Sequence, residues 1–441
     1  MKLSLEQIGK WLGCSELYSG FATGFKQDSR LVEVGDLFFA LPGEKVDGHA
    51  YLHDVALKGA IGAVVSSSYT GEDFGLQLFR ISSVLNGLHS LAKQVHLLHP
   101  CRVIGVTGSV GKTTTKEFIA TLLEGSYRVG KTPGNANSQV GMPLSLLNAQ
   151  GDEQVFVVEM GMSESQEIEK LVAIAPPEIA LITAIALSHA LFFSDGLEGI
   201  ARAKAEIFSS SKTRFGLLSQ QALVFSSCKT GDCDKVSYGF ETENCDFALW
   251  RGTGLYFIKE EGISSPLFTL PFSATHLCEN FTAAACIARL MGVSWDEIVV
   301  RAQQLRPFSK RFERVEKDEV IFMNDSYNAN PLSMKAALHN LPSPSAGCKR
   351  IAVLGAMREL GSYEADSHTE VALEALHAID HLLCLGKECE PMVAVFSEKG
   401  KPVELFTELN TLKSRLFALI QKGDVVLLKG SNSNKLWQIL D

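Results

Sequence analysis

Short apolar runs of strand length recur along the chain, and the stretches between them carry apolar residues at helical spacing. The runs 36–41 and 62–66 read as strands, and 51–58 and 84–98 as helices. Pro100 follows this small α/β unit, residues 1–97. Across 98–307 the apolar runs 103–106, 155–159 and 179–185 alternate with helical patterns. That order predicts βαβ units and a mostly parallel sheet with helices on both faces. The stretch 216–272 is richer in alternating and turn-like residues and reads as a small β insertion, before helices at 280–290 and 295–304. Residues 308–441 repeat the alternation, with strands at 320–324, 350–354, 381–385 and 425–429 and helices at 331–340, 363–378 and 409–421.

Composition adds limits rather than detail. A chain of 441 residues with 46% hydrophobic and 21% charged residues can build a core for each unit. The net charge of −9 argues against a nucleic-acid partner, since no basic excess exists to neutralise a phosphate backbone. The ten cysteines form no zinc-type array: Cys228/Cys233 and Cys384/Cys389 each lack a second pair, so thiols in a reducing compartment are expected. Residues 1–13 carry Glu6 and Lys10 and lack an apolar signal core. The most apolar stretch, 179–193, is interrupted by Thr183, Ser188 and His189 and falls short of the roughly 18 residues of a membrane span. A cytoplasmic protein that is not integral to a membrane is the expectation, and a monomer.

Candidate chemistry centres on the turn after the run 103–106: Thr107, Gly108, Ser109, Val110, Gly111, Lys112, Thr113 and Thr114 lead into a helical pattern. Backbone N–H groups of such a turn converge on one spot, and the helix N-terminus adds positive partial charge. Lys112 supplies a full charge for terminal phosphates, and the Thr113 hydroxyl suits Mg²⁺. The general phosphate-loop spacing begins with a glycine where Val106 stands here. Glu159 ends an apolar strand and suits a metal contact next to that loop, with Gly161 permitting close approach. His189 follows the run 179–185; it reads equally as a metal ligand or as an internally satisfied histidine. Lys204, from its helix alone, reads as a solvated lysine. Asn135, Asn137 and Ser138 form a polar loop that serves a substrate or a simple turn. Residues 324–331 place Asp325, Tyr327, Asn328 and Asn330 at the carboxyl end of a strand, where ligands bind in such sheets. In the first unit Ser29, Arg30, Lys45, Gly48 and His49 are candidates for a diphosphate, though singly each reads as surface.

Together these segments resemble the Mur ligase family over nearly the whole chain. The resemblance rests on 28–30, 35–38 and 47–49 in the first unit, on 107–114, 134–137, 141–143, 159–161, 188–189 and 201–207 in the second, and on 325–331, 353–355, 359–361 and 428–431 in the third. It implies three domains: a UDP-substrate-binding unit (1–97), a central P-loop-type ATP-binding unit (98–307) and a Rossmann-like C-terminal ligase unit (308–441). It implies an ATP-dependent amide ligase of cytoplasmic peptidoglycan precursor synthesis that works through an acyl phosphate. The run 326–331 points, within the family, to the member joining D-alanyl-D-alanine to UDP-N-acetylmuramoyl-tripeptide; a sibling adding the third stem-peptide residue, a folylpolyglutamate synthase and a P-loop regulatory ATPase are the alternatives. The resemblance further implies Mg²⁺ held by Thr113, Glu159, His189 and a CO₂-derived carbamate on Lys204. It places His276 and Asn280 at the adenine and Arg311 and Asp325 on ATP from the last unit. Leu277, Ala356 and Asn432 stand where Asn, Asp and Arg are commoner in the family.

Overall fold

The computed structural model describes residues 2–43, 46–260 and 262–441; the candidate Lys45 lies outside the described residues. Three large sheets follow one another along the chain, and their strand patterns account for the apolar runs. The first sheet is four-stranded and parallel: Gly24–Lys26, Asp36–Phe39, Gly62–Ser66 and Gln77–Ile81. The helix Val84–Leu98 coincides with its sequence expectation and starts where the Ser83 hydroxyl accepts the Asn86 N–H.

The central sheet has nine strands. Arg102–Thr107 lies in its interior, paired in parallel with Ile179–Ile182 on one side and Val155–Glu159 on the other. Alternate residues of these strands enter opposite cores. Val155 and Val157 pack with Phe118 and Phe281, whereas Phe156 and Val158 pack with Leu88 and Leu171. Both faces are therefore covered by helices, which is why the runs read as continuously apolar. The apolar run 179–185 yields a strand only to Ile182; Thr183 onward turns over the phosphate loop.

One expectation is corrected. Residues 216–272 are no separate insertion: Phe215–Ser219, Asp234–Phe240 and Phe247–Arg251 extend the central sheet in parallel, and Tyr256–Glu260 and Ile263–Ser264 finish it antiparallel. Their buried side chains Leu217, Tyr238 and Leu249 join the same core as Ile104 and Val106. Alternation signals a half-covered strand, and half-covered strands occur at a sheet's flank as readily as in a separate insert.

The third sheet has six strands, Glu313–Lys317 antiparallel at one edge and the rest parallel. Here too alternate residues divide: Ala352 and Leu354 face one core, Ile351 and Val353 the other. The carboxyl ends of its strands Val320–Asn324 and Val425–Lys429 come to the carboxyl ends of the central strands, so two ligand-binding edges of parallel sheets meet. The first unit is tied to the second through Asn148, whose side chain accepts the Phe25 N–H at 3.0 Å and donates to the Phe25 carbonyl at 2.9 Å.

Candidate active site

The turn between Arg102–Thr107 and the helix Lys112–Leu123 is built around two glycines. Gly108 has φ of +145° and Gly111 of +84°. A Cβ on Gly108 would overlap the Thr183 hydroxyl, and one on Gly111 would come within 2.5 Å of Asn280 Oδ1. Both positions therefore demand glycine on backbone and steric grounds. The loop is held from outside: Thr183 Oγ1 donates to the Val110 carbonyl at 2.5 Å, and the Ser109 N–H and hydroxyl donate to the carbonyls of Ala184 and Ala186. Lys112 folds back to the Gly108 carbonyl at 2.8 Å. Burial, with Arg311 adding to it, lowers its pKa, while Glu159 opposes the shift. An ammonium held this way is ready to exchange one carbonyl for a phosphate oxygen.

Thr113 is the junction of the site. Its hydroxyl donates to Glu159 Oε2 at 2.8 Å and accepts Arg311 Nη2 at 2.9 Å. Glu159 Oε1 accepts Asn137 Nδ2 at 2.7 Å, and the Glu159 N–H donates to Thr132 Oγ1. Lys116, four residues after Lys112 on the same helix face, was not anticipated from sequence. It is fully buried, donates to the Thr132 and Gly134 carbonyls at 2.6 Å each, and stands 3.9 Å from Glu159. It ties the 134–138 loop to the phosphate loop. Within that loop Ser138 accepts the Val140 and Gly141 N–H groups, so its hydroxyl shapes the turn, while Asn135 faces the cavity.

A cavity of about 640 Å³ lies between the second and third units. Thr113, Asn280, His276, Arg311, Asp325 and Asn328 all border it. His276 and Asn280 are one turn apart on the helix Thr275–Leu290, which starts earlier than the expected 280–290. Burial lowers the His276 pKa to about 4, so the ring is neutral at physiological pH, and it meets Phe312 edge-on at 5.0 Å. Its buried Nδ1 has no hydrogen-bond partner among the described residues. Gln221, in the turn after Phe215–Ser219, and Tyr238, on Asp234–Phe240, also border the cavity.

The third unit contributes a fixed frame. Lys429 is buried and pairs with Asp325 Oδ2 at 2.6 Å, while Asp325 Oδ1 accepts the Phe312 N–H. Lys429 also donates to the Asn328 carbonyl at 3.1 Å, which orders the 325–330 segment. Arg311 lies flat over Tyr327, its guanidinium carbon 4.0 Å from the ring centroid. Asn330 borders the cavity, but its side-chain oxygen is engaged as the cap of the helix Pro331–His339, accepting the Ser333 N–H. Lys429 ends an apolar strand as Glu159 does, and that position was the available signal for it. The departures at 277, 356 and 432 are structural: Leu277 packs with Phe312 and Met323, Ala356 is buried in the same core, and Asn432 donates to the Tyr327 carbonyl.

A second cavity of about 150 Å³ adjoins the first through Lys112, Asn137 and His189, and Lys204 borders it. Lys204 is not solvated: it is 2% exposed and has no hydrogen-bond or ion-pair partner among the described residues. Desolvation, reinforced by Lys112, drives its pKa well below the usual lysine range. His189, in a left-handed conformation at φ +57°, sits 2.5 Å through Nδ1 from Glu359 of the third unit; the approach is short but out of line with a ring hydrogen bond. Burial lowers its pKa too, against the pull of Glu359.

Of the first-unit candidates among the described residues, Ser29, Arg30, Gly48 and His49 border neither cavity. Arg30 pairs with Asp28 at 2.6 Å, and the Ser29 carbonyl accepts Lys58 Nζ. His49 accepts the Ser66 N–H at Nε2 and contacts Asp47 through Nδ1, and a Cβ on Gly48 would strike the Leu41 backbone.

Comparison with known proteins follows the same division. Residues 106–288 match the Mur ligase middle domain and 310–432 the Mur ligase glutamate ligase domain. The chain is 33% identical over 429 residues to the UDP-N-acetylmuramoyl-tripeptide--D-alanyl-D-alanine ligase of Bacillus subtilis, covering 95% of this chain and 92% of that one. It is 30% identical over 431 residues to the enzyme of the same name from Escherichia coli, covering 94% and 92%. Among solved structures, MurF from Acinetobacter baumannii superposes with a TM-score of 0.88 at 26% identity, covering 100% of this chain and 98% of that one. MurF from Thermotoga maritima in complex with ADP gives 0.79 at 28%, covering 95% and 96%. Two family models together covering most of the chain, and a relative 33% identical over 95% of it, show that the chain belongs to the Mur ligase family.

Proposed function

We propose that this protein is an ATP-dependent ligase that joins D-alanyl-D-alanine to UDP-N-acetylmuramoyl-tripeptide in peptidoglycan precursor synthesis. The observation that carries it is the cavity in which the phosphate loop of one unit faces the segment 325–330 of another. A switch ATPase has no need of a second polar edge opposite its phosphates. The identities to relatives bearing that ligase name over more than nine-tenths of the chain support the choice of acceptor.

The tripeptide's terminal carboxylate attacks the γ-phosphorus of ATP, giving an acyl phosphate and ADP. The amine of D-alanyl-D-alanine then attacks the acyl carbon, and phosphate leaves from the tetrahedral intermediate as the amide forms. The first step joins two anions, so it needs neutralised charge and alignment more than covalent help. Lys112 and the loop N–H groups supply both at the phosphates, and Arg311 brings a second cation across the cavity. Docking of the third unit shields the acyl phosphate from water. Asn280 and His276 are suited to the base of the nucleotide, and Asp325 to its ribose side. Asn135, Asn137, Tyr327, Asn328 and Asn330 are suited to the peptide ends.

Thr113 and Glu159 fit Mg²⁺. Their oxygens are 2.8 Å apart beside the loop, and no group of three His, Cys, Asp or Glu side chains is gathered for a metal among the described residues. One carboxylate with phosphate and water oxygens is the ligand set Mg²⁺ favours. Bound there, the ion would neutralise developing phosphate charge. Lys204 as an ammonium would oppose a cation beside Lys112. As a neutral amine it is a nucleophile toward CO₂, and the carbamate so formed is an anion that suits a metal together with His189. Intact mass and peptide mapping in bicarbonate buffer should show one added CO₂ on Lys204, lost on acidification; an unmodified Lys204 in active protein overturns this part.

We assign the first unit, 1–97, to the UDP end, with Ser29, Arg30, Lys45, Gly48 and His49 as its candidate residues. No helix among the described residues is long and apolar enough to cross a membrane. The test of the whole reading is an acceptor panel. Phosphate release with ATP and the UDP-linked tripeptide should require D-alanyl-D-alanine and should stay at background with meso-diaminopimelate, lysine or glutamate. Equal release with no amine overturns the ligase reading, and release with a single amino acid points to a sibling.

A further inference from the structure

Lys116 carries a charge in the interior of the second unit, where the phosphate loop itself gives it no task. It lies one turn after Lys112 on the helix Lys112–Leu123, and its side chain is wholly out of water. An ammonium is a donor only. This one donates to the Thr132 and Gly134 carbonyls at 2.6 Å each, and the Glu117 and Glu159 carboxylates stand 3.3 and 3.9 Å away. Burying an ammonium is costly unless it is paired and hydrogen-bonded, and an apolar residue of similar volume often serves packing as well or better. Packing therefore does not explain a lysine here, whereas the two carbonyls do.

Those carbonyls belong to the point where the chain leaves the central sheet. Val129–Lys131 is a strand of three residues at the sheet's edge, paired with Val155–Glu159. The Thr132 N–H still reaches the Val157 carbonyl, and the backbone then turns through Gly134 at φ +51°. The next backbone bonds are internal to the turn: the Ala136 N–H donates to the Pro133 carbonyl and the Asn137 N–H to the Asn135 carbonyl. Lys116 is what fastens that turn to the helix behind it. At the far end Asn137 is received closely. Its carbonyl accepts the Gly161 N–H at 2.7 Å, its Nδ2 donates to Glu159 Oε1 at 2.7 Å, and a Cβ on Gly161 would lie 2.7 Å from Asn137 Cγ. Asn135 borders the larger cavity and Asn137 borders both. A shift at Thr132–Gly134 is thus passed on to both amides. We propose that Lys116 is a positioning residue for the tripeptide, setting the 134–138 loop so that Asn135 and Asn137 face the cavities. The helix that begins at the phosphate loop then also fixes the peptide side of the site, and the phosphoryl donor and its acceptor share one rigid element. This inference rests on the ligase reading above.

The test uses the full-length protein and three variants: Lys116→Met, Lys116→Gln and Lys116→Arg. Methionine keeps the stem and removes the donors. Glutamine is neutral and shorter, and it stands in if the methionine variant does not fold. Arginine keeps a charge and donors for more than one carbonyl. In the Met and Gln variants kcat/KM for the UDP-linked tripeptide should fall by about 10- to 100-fold, while the Kd for ADP stays within about twofold. Lys116→Arg should recover part of that loss. Amide exchange, measured without substrates, should quicken at 134–138 and at Gly161 in the Met and Gln variants and stay as in the wild type along 112–123. Wild-type kinetics toward the UDP-linked tripeptide in a folded Met or Gln variant overturns the proposal, even if the melting temperature falls. Loss of ADP binding in step with turnover overturns it too, by placing the effect in the phosphate loop. Because the wild type is run first with D-alanyl-D-alanine, failure of the ligase reading would appear there, before any variant, and neither ADP affinity nor amide exchange depends on turnover.

Discussion

Replacing Lys112 by alanine is expected to lower D-alanyl-D-alanine-dependent phosphate release by about 100- to 1,000-fold, a loss of about 2.7–4 kcal/mol of transition-state stabilisation. The lysine now donates to the Gly108 carbonyl, and the loop that carries it is locked by Thr183, Ser109 and the tight packing of both glycines. The variant therefore loses a charge without losing the loop. The effect should fall on kcat, because the β–γ bridging oxygen of ATP gains negative charge only as the γ-phosphoryl group transfers. Release above a tenth of the wild-type rate would remove Lys112 from the chemistry. A melting temperature equal to the wild type's, measured in parallel, keeps the result from being a folding defect.

Arg311→Ala is expected to cost about 1,000-fold in kcat, at the lower end of what an arginine delivered to a transferring phosphoryl group contributes. Arg311 comes from the third unit, stacks on Tyr327 and reaches the Thr113 hydroxyl of the second. Two of its properties matter: a positive charge, and a flat guanidinium face that Tyr327 can hold. Lysine offers only the first, so Arg311→Lys should recover less than a tenth of the lost rate. KM for ATP should change far less than kcat, since the loop and the helix Thr275–Leu290 still face the nucleotide. If Arg311→Ala instead raised KM alone, its role would be ground-state binding, and charge delivery on closure would be wrong.

Much of the fold was legible because parallel strands buried on both faces are continuous apolar runs. Gly62–Ser66, Val155–Glu159, Val320–Asn324, His381–Leu385 and Val425–Lys429 have the bounds their runs predict. Short or half-covered elements were not legible. The stretch 216–272 alternates because its strands flank a large sheet, and alternation alone cannot tell a flank from a separate piece. Helices such as Gly141–Leu147 and Glu390–Glu398 were missed because two turns are too short to establish a period.

The site divides along the same line. Glu159 was found because a carboxylate ends an apolar strand next to the phosphate loop, and the structure seats it on Thr113 and Asn137. Lys204 looked like a solvated lysine because helical periodicity reports which face is apolar, not what packs over the polar one. Lys116 gave no signal at all, since its worth lies in two carbonyls that the 132–134 turn brings to it.

The chain by itself determined the strand-forming runs, the glycine-dependent phosphate loop and the identity of the family, since these depend on local backbone demands and residue order. Only the tertiary structure decided that Lys204 is buried without a hydrogen-bond partner among the described residues, that Arg311 meets Thr113, and that Glu359 meets His189. Each of those depends on which surfaces lose water and which distant carboxylates and cations come within a few ångströms, and residue order does not carry either quantity.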